Sequence, residues 1–158
     1  MKQQALQGEK LKLKSKAARS VTSLVMMLSA IAGYSLVTAP AASAATYGCN
    51  GSQIDSWNNT YNGTTYAKTY LFWDGTYNCV AAVKQGSYYG VKSRIAVDAW
   101  TDKDGYVSPG DDGQYLYYAS FKFYGKGRCI AVETDVWNLS GNNIIQDHVP
   151  NSGYFHCG

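Results

Sequence analysis

The chain has 158 residues, with 14 Lys+Arg against 11 Asp+Glu for a formal net charge of +3, and it carries 14 tyrosines but only two histidines. That length fits one domain rather than a large multi-domain enzyme, and two imidazoles leave little for acid–base or metal chemistry. The positive excess sits in the first twenty residues, so a nucleic-acid-binding surface is not expected.

Taken in chain order, the first segment reads as an export signal. Lys2, Lys10, Lys12, Lys14, Lys16 and Arg19 stand against Glu9 alone, and the apolar run VTSLVMMLSAIAGYSLV and the small-residue pattern Ala42-Ser43-Ala44 follow. Basic, apolar, small is the order of a secretory signal peptide, here residues 1–45 with cleavage near Ala44 or Ala45. A retained membrane anchor is the alternative reading, but a run of about 17 apolar residues is at the lower limit for a span. There is no twin arginine, which points to the general export route, and no membrane attachment is expected after cleavage. Residues 46–158 then keep eight basic against ten acidic side chains, so the charge changes sign.

This remainder is expected to be a single β domain, small enough for covalent staples to matter. It holds all four cysteines, Cys49, Cys79, Cys129 and Cys157, which in an exported chain read as two disulfides. Three pairings are possible, and the neighbouring one, Cys49–Cys79 with Cys129–Cys157, is the expectation. Zinc is the rival, but no C-x-x-C occurs and His148 and His156 fit no common ligand spacing. No metal and no cofactor are expected.

The strands announce themselves by period two. TYAKTYLFW and YNCVAAV flank Asp74-Gly75, a hairpin signal. In VKSRIAVDAW, Val91, Ser93, Ile95, Val97 and Ala99 share one face while Lys92, Arg94, Asp98 and Trp100 share the other. GQYLYYASFKFY and GRCIAVET flank Gly125-Lys126-Gly127, which predicts a second hairpin. The tail NIIQDHVPNSGYFHCG holds one more short strand, and no segment of residues 46–158 has a helical period. YNCVAAV and GRCIAVE echo one another fifty residues apart, as if each half contributed a hairpin to a two-sheet fold. The fold class is therefore all-β, a small antiparallel sandwich of hairpins.

Chemistry-bearing residues are sparse. His148 beside Asp147 is the only adjacent acid–imidazole pair, with no nucleophile turn near it. Glu133 and Asp135 would share a strand face and could serve a small hydrolase. Asp102, Asp104, Gly105 and Asp111 resemble part of a calcium loop, but Trp100 falls at its first ligand position. Sequons at Asn50, Asn58, Asn62 and Asn138 read as incidental. The informative signal is aromatic: 13 Tyr, 4 Trp and 4 Phe exceed what so small a core holds with every polar end satisfied. Trp100 falls on a polar strand face, and Leu116, Tyr118 and Tyr124 oppose Tyr117, Phe121 and Phe123. Trp100, Tyr118 and Tyr124 are thus the candidate aromatic binding residues, with cross-strand stiffening as the alternative role.

TYGCNG after the leader, then YNCV, then DDGQYLYYASFKFYGKGRCI and a Cys-Gly end resemble the spore-associated protein A family, small secreted four-cysteine actinobacterial proteins. The four cysteines match that family's in order, whereas Ser120-Phe121-Lys122 stands where the family has Gly-Pro-Val and no clear Gly-Gly follows the cysteine strand. The resemblance implies a non-enzymatic extracellular protein associated with spores or the cell surface, its partner an envelope or spore-surface polymer or protein. A secreted inhibitor or toxin-like antagonist presenting the loop TDKDGYVSPGDDG is the alternative.

Overall fold

The computed structural model describes residues 46–107 and 109–158. The leader expected over residues 1–45 lies outside the described residues. Nine strands follow in order: β1 Ser52–Tyr61, β2 Thr64–Trp73, β3 Tyr77–Lys84, β4 Ser93–Thr101, β5 Gly105–Tyr106, β6 Asp111–Tyr115, β7 Tyr118–Tyr124, β8 Ile130–Trp137 and β9 Asn143–Val149. Among the described residues the only helical element is a single 3₁₀ turn, Gly86–Tyr88.

Two antiparallel sheets form, one of four strands in the order β1-β2-β3-β7 and one of five, β5-β4-β8-β9, with β6 also on β4. The alternation explains what lies between them. Leu71, Val80, Ala82, Ala119 and Phe123 of the first sheet meet Ile95, Val97, Ala99, Val132 and Val136 of the second in one buried cluster. Truncating a fully buried member such as Leu71 would cost about 2–5 kcal/mol.

Asn59, Thr69, Thr134 and Lys84 are partnered inside the sandwich, whereas the buried Trp57 indole nitrogen has no hydrogen-bond partner among the described residues. Thr69 donates to Asn59 at 2.7 Å, Thr69 and Thr134 lie 2.8 Å apart across the sheets, and Asn59 donates to Asp147 at 2.7 Å. Lys84 is fully buried. Its ammonium donates to the carbonyls of Val91, Ser93 and Tyr115 and to the Ser93 hydroxyl at 2.5–3.0 Å. Burial pushes its pKa down, while the four oxygens favour the charged form.

Both disulfides pair neighbours, Cys49–Cys79 and Cys129–Cys157. The hairpin at Asp74-Gly75 is β2–β3, its turn held by the Asp74 carboxylate accepting from the Thr76 and Tyr77 amides.

The second predicted hairpin does not form. β7 pairs with β3 and β8 with β4 and β9, so Gly125–Gly127 carries the chain from one sheet to the other. Gly125 is required there by close approach, because an added Cβ would stand 2.2 Å from the Asn78 amide nitrogen. The expected single strand GQYLYYASFKFY is likewise divided into β6 and β7, on different sheets, with Leu116 and Tyr117 making the crossing.

Candidate functional site

Alternation on the five-stranded sheet sends Ile95, Val97 and Ala99 inward and turns Arg94, Ala96, Asp98 and Trp100 of β4 to the opposite face. The register sets their neighbours on that face. Asp98 lies across from Glu133 of β8, Ala96 from Asp135, and Trp100 from Ala131. On the other flank Trp100 faces Tyr106 of β5, and Ala96 faces Asp112 of β6. Glu133 faces His148 and Asp135 faces Gln146 of β9.

Because Ala131 is small, the Trp100 indole lies within reach of rings on both sides. Its centroid is 5.4 Å from Tyr106 and 5.2 Å from His148, with interplanar angles of 53° and 57°. This is the tilted geometry aromatic pairs prefer. Tyr106 donates its hydroxyl to Asp98 at 2.7 Å, which raises the phenol pKa. Gly110 closes on the same carboxylate, and a Cβ there would lie 2.0 Å from Asp98 Oδ1. Glu133 accepts from the Gln146 amide at 3.1 Å and has His148 Nδ1 at 3.6 Å.

The carboxylates are crowded. Burial raises the pKa of Asp135 most; the Asn143 hydrogen bond opposes this, and Glu133, Asp98 and Asp112 add their negative charge. Arg94 serves Asp112, donating from Nε and Nη2 at 2.9 and 2.6 Å, and this holds the Asp112 carboxyl below its ordinary range. The same guanidinium lies 4.1 Å over the Trp137 ring.

Several residues singled out in the sequence therefore meet. Trp100, His148, Glu133 and Asp135 share one face. Glu133 and Asp135 are on a common face, as period two requires. His148 and Asp147 are not, because successive β9 side chains alternate and Asp147 instead accepts from the Asn59 amide.

Tyr118 and Tyr124 do not join Trp100. They belong to β7 and lie on the outer face of the four-stranded sheet. There Tyr118 stacks edge-on with Tyr47 and Tyr124 with Tyr77. Tyr47 also packs on Tyr70, and Cys49–Cys79 ties the segment carrying Tyr47 down over Phe72 and Ala81. The three aromatic candidates thus form no common face.

The calcium-loop residues are committed elsewhere. Asp102 caps the Cys129 amide at 2.9 Å, Asp104 is paired with Arg128 and Thr101, and Asp111 accepts from Tyr115 and Ser120. Among the described residues no group of three His, Cys, Asp or Glu side chains is arranged to hold a metal ion.

One pair escaped the sequence reading. His156 Nε2 meets Asp55 at 2.8 Å across 101 residues of chain. His156 lines a shallow cleft of about 170 Å³ with Ile54, Trp73, Asn78 and Gly125. No local signal joins residues so far apart. By contrast, the Trp100–Glu133–His148 grouping follows from alternation once the register is known. Compared with family models, with curated proteins and with solved structures, the chain finds no match.

Proposed function

We propose that residues 46–158 form an exported, non-enzymatic binding module that associates with the surface of the cell or spore. The observation that carries this reading is the Trp100 platform. An indole flanked by Tyr106 and His148 sits on β4, a strand paired on both sides, with the carboxylates of Asp98 and Glu133 on the same face. A rigid display of rings and polar groups binds with little ordering cost, which suits a protein that adheres to a polymer rather than one that turns a substrate over. The two disulfides support extracellular residence.

The test is retention on isolated envelopes and spores, followed by co-sedimentation. Trp100→Ala is expected to lower retention by about tenfold or more, as loss of a central aromatic anchor does. Tyr118→Ala, whose ring packs against Tyr47, is expected to weaken it less. Retention of both variants at the wild-type level would remove the aromatic-surface reading.

A secreted antagonist remains the second reading, because the turn after β4 is firmly pinned. Asp102 binds the Cys129 amide, Lys103 donates to the Gly127 carbonyl at 2.6 Å, and Asp104 pairs with Arg128. A fixed loop of this kind is what a target-blocking protein presents. Replacing Lys103 and Asp104 by alanine, with the loop length and Tyr106 kept, would weaken antagonism and leave envelope retention intact.

A further inference from the structure

The outer face of the five-stranded sheet carries more negative charge than ion pairs among the described residues neutralise. Asp98, Asp112, Glu133 and Asp135 surround the small side chain of Ala96 or lie next to it along the strands. Among the described residues, Arg94 is the one arginine or lysine with an ion pair on this face, and it serves Asp112. Glu133 has His148 and the neutral amide of Gln146, and Asp98 and Asp135 have neutral donors, Tyr106 and Asn143.

Arg94 itself displays the kind of group the face accepts. Its guanidinium is stacked on an indole and held by a carboxylate at the same time. At the other end of the stripe the same parts recur, with Trp100 as the indole and Asp98 and Glu133 as the carboxylates, but among the described residues no arginine or lysine forms an ion pair with either. The two ends are six residue steps apart along β4, roughly 20 Å.

We propose that this face binds a glycan whose sugar rings carry free amines, of the glucosamine-oligomer class. This inference rests on the binding-module reading and names its ligand. A pyranose presents a flat C–H face to Trp100, and its protonated amine meets Asp98 and Glu133 as the Arg94 guanidinium meets Asp112. The side-chain amides of Gln114 and Gln146 lie on the same face, with donors and acceptors for hydroxyls. A basic peptide would satisfy the charge but brings no ring hydroxyls to the Gln114 and Gln146 amides along the stripe. Peptides also bind sheets chiefly by adding to an open edge, and β4 is paired along both edges.

The experiment is a calorimetric and NMR titration of the disulfide-intact protein with four probes: glucosamine hexamer, its fully N-acetylated counterpart, cellohexaose and penta-arginine. Each is run at low and high salt, and the glucosamine hexamer also at a pH where its amines are neutral. The glucosamine hexamer is expected to bind at least about tenfold more tightly than the acetylated and neutral oligomers. That advantage should fade with salt and with amine deprotonation. Trp100→Ala should abolish binding to every sugar. The near-isosteric Asp98→Asn and Glu133→Gln should remove only the preference for amines, with unchanged melting curves showing that the fold is intact. Equal affinity for acetylated or neutral oligomers, tighter binding of penta-arginine, or no binding at millimolar sugar would overturn the proposal. Envelope retention that still depends on Trp100 would, in those cases, leave the binding-module reading standing and remove only the amino-sugar assignment.

Discussion

The two outer faces of the sandwich are built by the same alternation and end with opposite chemistry. On the four-stranded sheet, Phe72, Cys79 and Ala81 turn outward and are covered by Tyr47 and Cys49, making a second, smaller hydrophobic cluster. Lysines complete it from the rim, Lys122 lying 4.3 Å over Tyr77 and Lys68 lying 5.3 Å over Tyr70. On the five-stranded sheet the outward positions hold carboxylates and rings above alanines. The difference teaches that aromatic richness has two uses in one small protein. On the first face it consolidates the fold, whereas on the second we propose that it serves a partner.

That contrast can be broken most forcefully at the strap. Replacing Cys49 and Cys79 together by serine should cost about 3 kcal/mol in a urea titration, since the bridge closes a span of 30 residues. Sugar and envelope binding by the folded protein should not change. Trp100→Ala should do the reverse, costing about 1–2 kcal/mol in stability while lowering envelope retention about tenfold or more. A Trp100 variant as unstable as the unstrapped one would erase the distinction between the faces.

A smaller effect comes from charge crowding. Asp135 keeps its proton to a higher pH when folded than when unfolded. Stability therefore falls as pH rises from the ordinary carboxylate value, about 4, through the raised one, and the deficit persists at neutral pH. Asp135→Asn retains an acceptor for Asn143 and should melt about 1–3 °C higher than the parent at pH 7, with no difference at pH 3. The half-exposed position keeps the gain small. A lower melting temperature at pH 7 would mean that the face is not electrostatically strained.

The smallest expected effect lies on the first face. Asp74 titrates at about 2, held down first by Lys122 and then by the Tyr77 amide. Its folded pKa is depressed, so its contribution is present above the ordinary carboxylate pKa and is lost as pH falls through about 2. Lys122→Met should move the Asp74 midpoint upward in an NMR titration with little change in melting temperature, because the pair is exposed. An unmoved midpoint would assign the depression to the turn amides alone.

Much of the sandwich was legible in the sequence, for reasons that particular residues make clear. Ile95, Val97 and Ala99 are inward because alternate residues of a strand must face alternate sides. Asp74-Gly75 is a hairpin because its flanking strands are complementary and the Asp74 carboxylate stabilises the turn. β1 was not legible. SQIDSWNNTY is rich in residues that strands disfavour, and its inward Asn59 is acceptable only because Thr69 and Asp147 satisfy it. The grouping of Trp100 with Glu133 and His148 was half legible: each residue's face could be read, but not which strand lay beside it.

The sequence by itself determined the all-β class, the inward and outward faces of β4, and a set of cysteines for which neighbouring pairs were the expectation. These depend on local periodicity and chain spacing, both written in consecutive residues. Only the tertiary structure decided that β7 and β8 part into different sheets, that Tyr118 and Tyr124 lie away from Trp100, and that Asp98 and Glu133 face one another across β4 and β8 on the face that carries the indole. A glycine-rich turn serves a hairpin and a crossing between sheets equally well, and period two states which way a side chain points without naming its neighbour. The choice falls to long-range pairing, where burying the apolar face of both sheets outweighs any local preference.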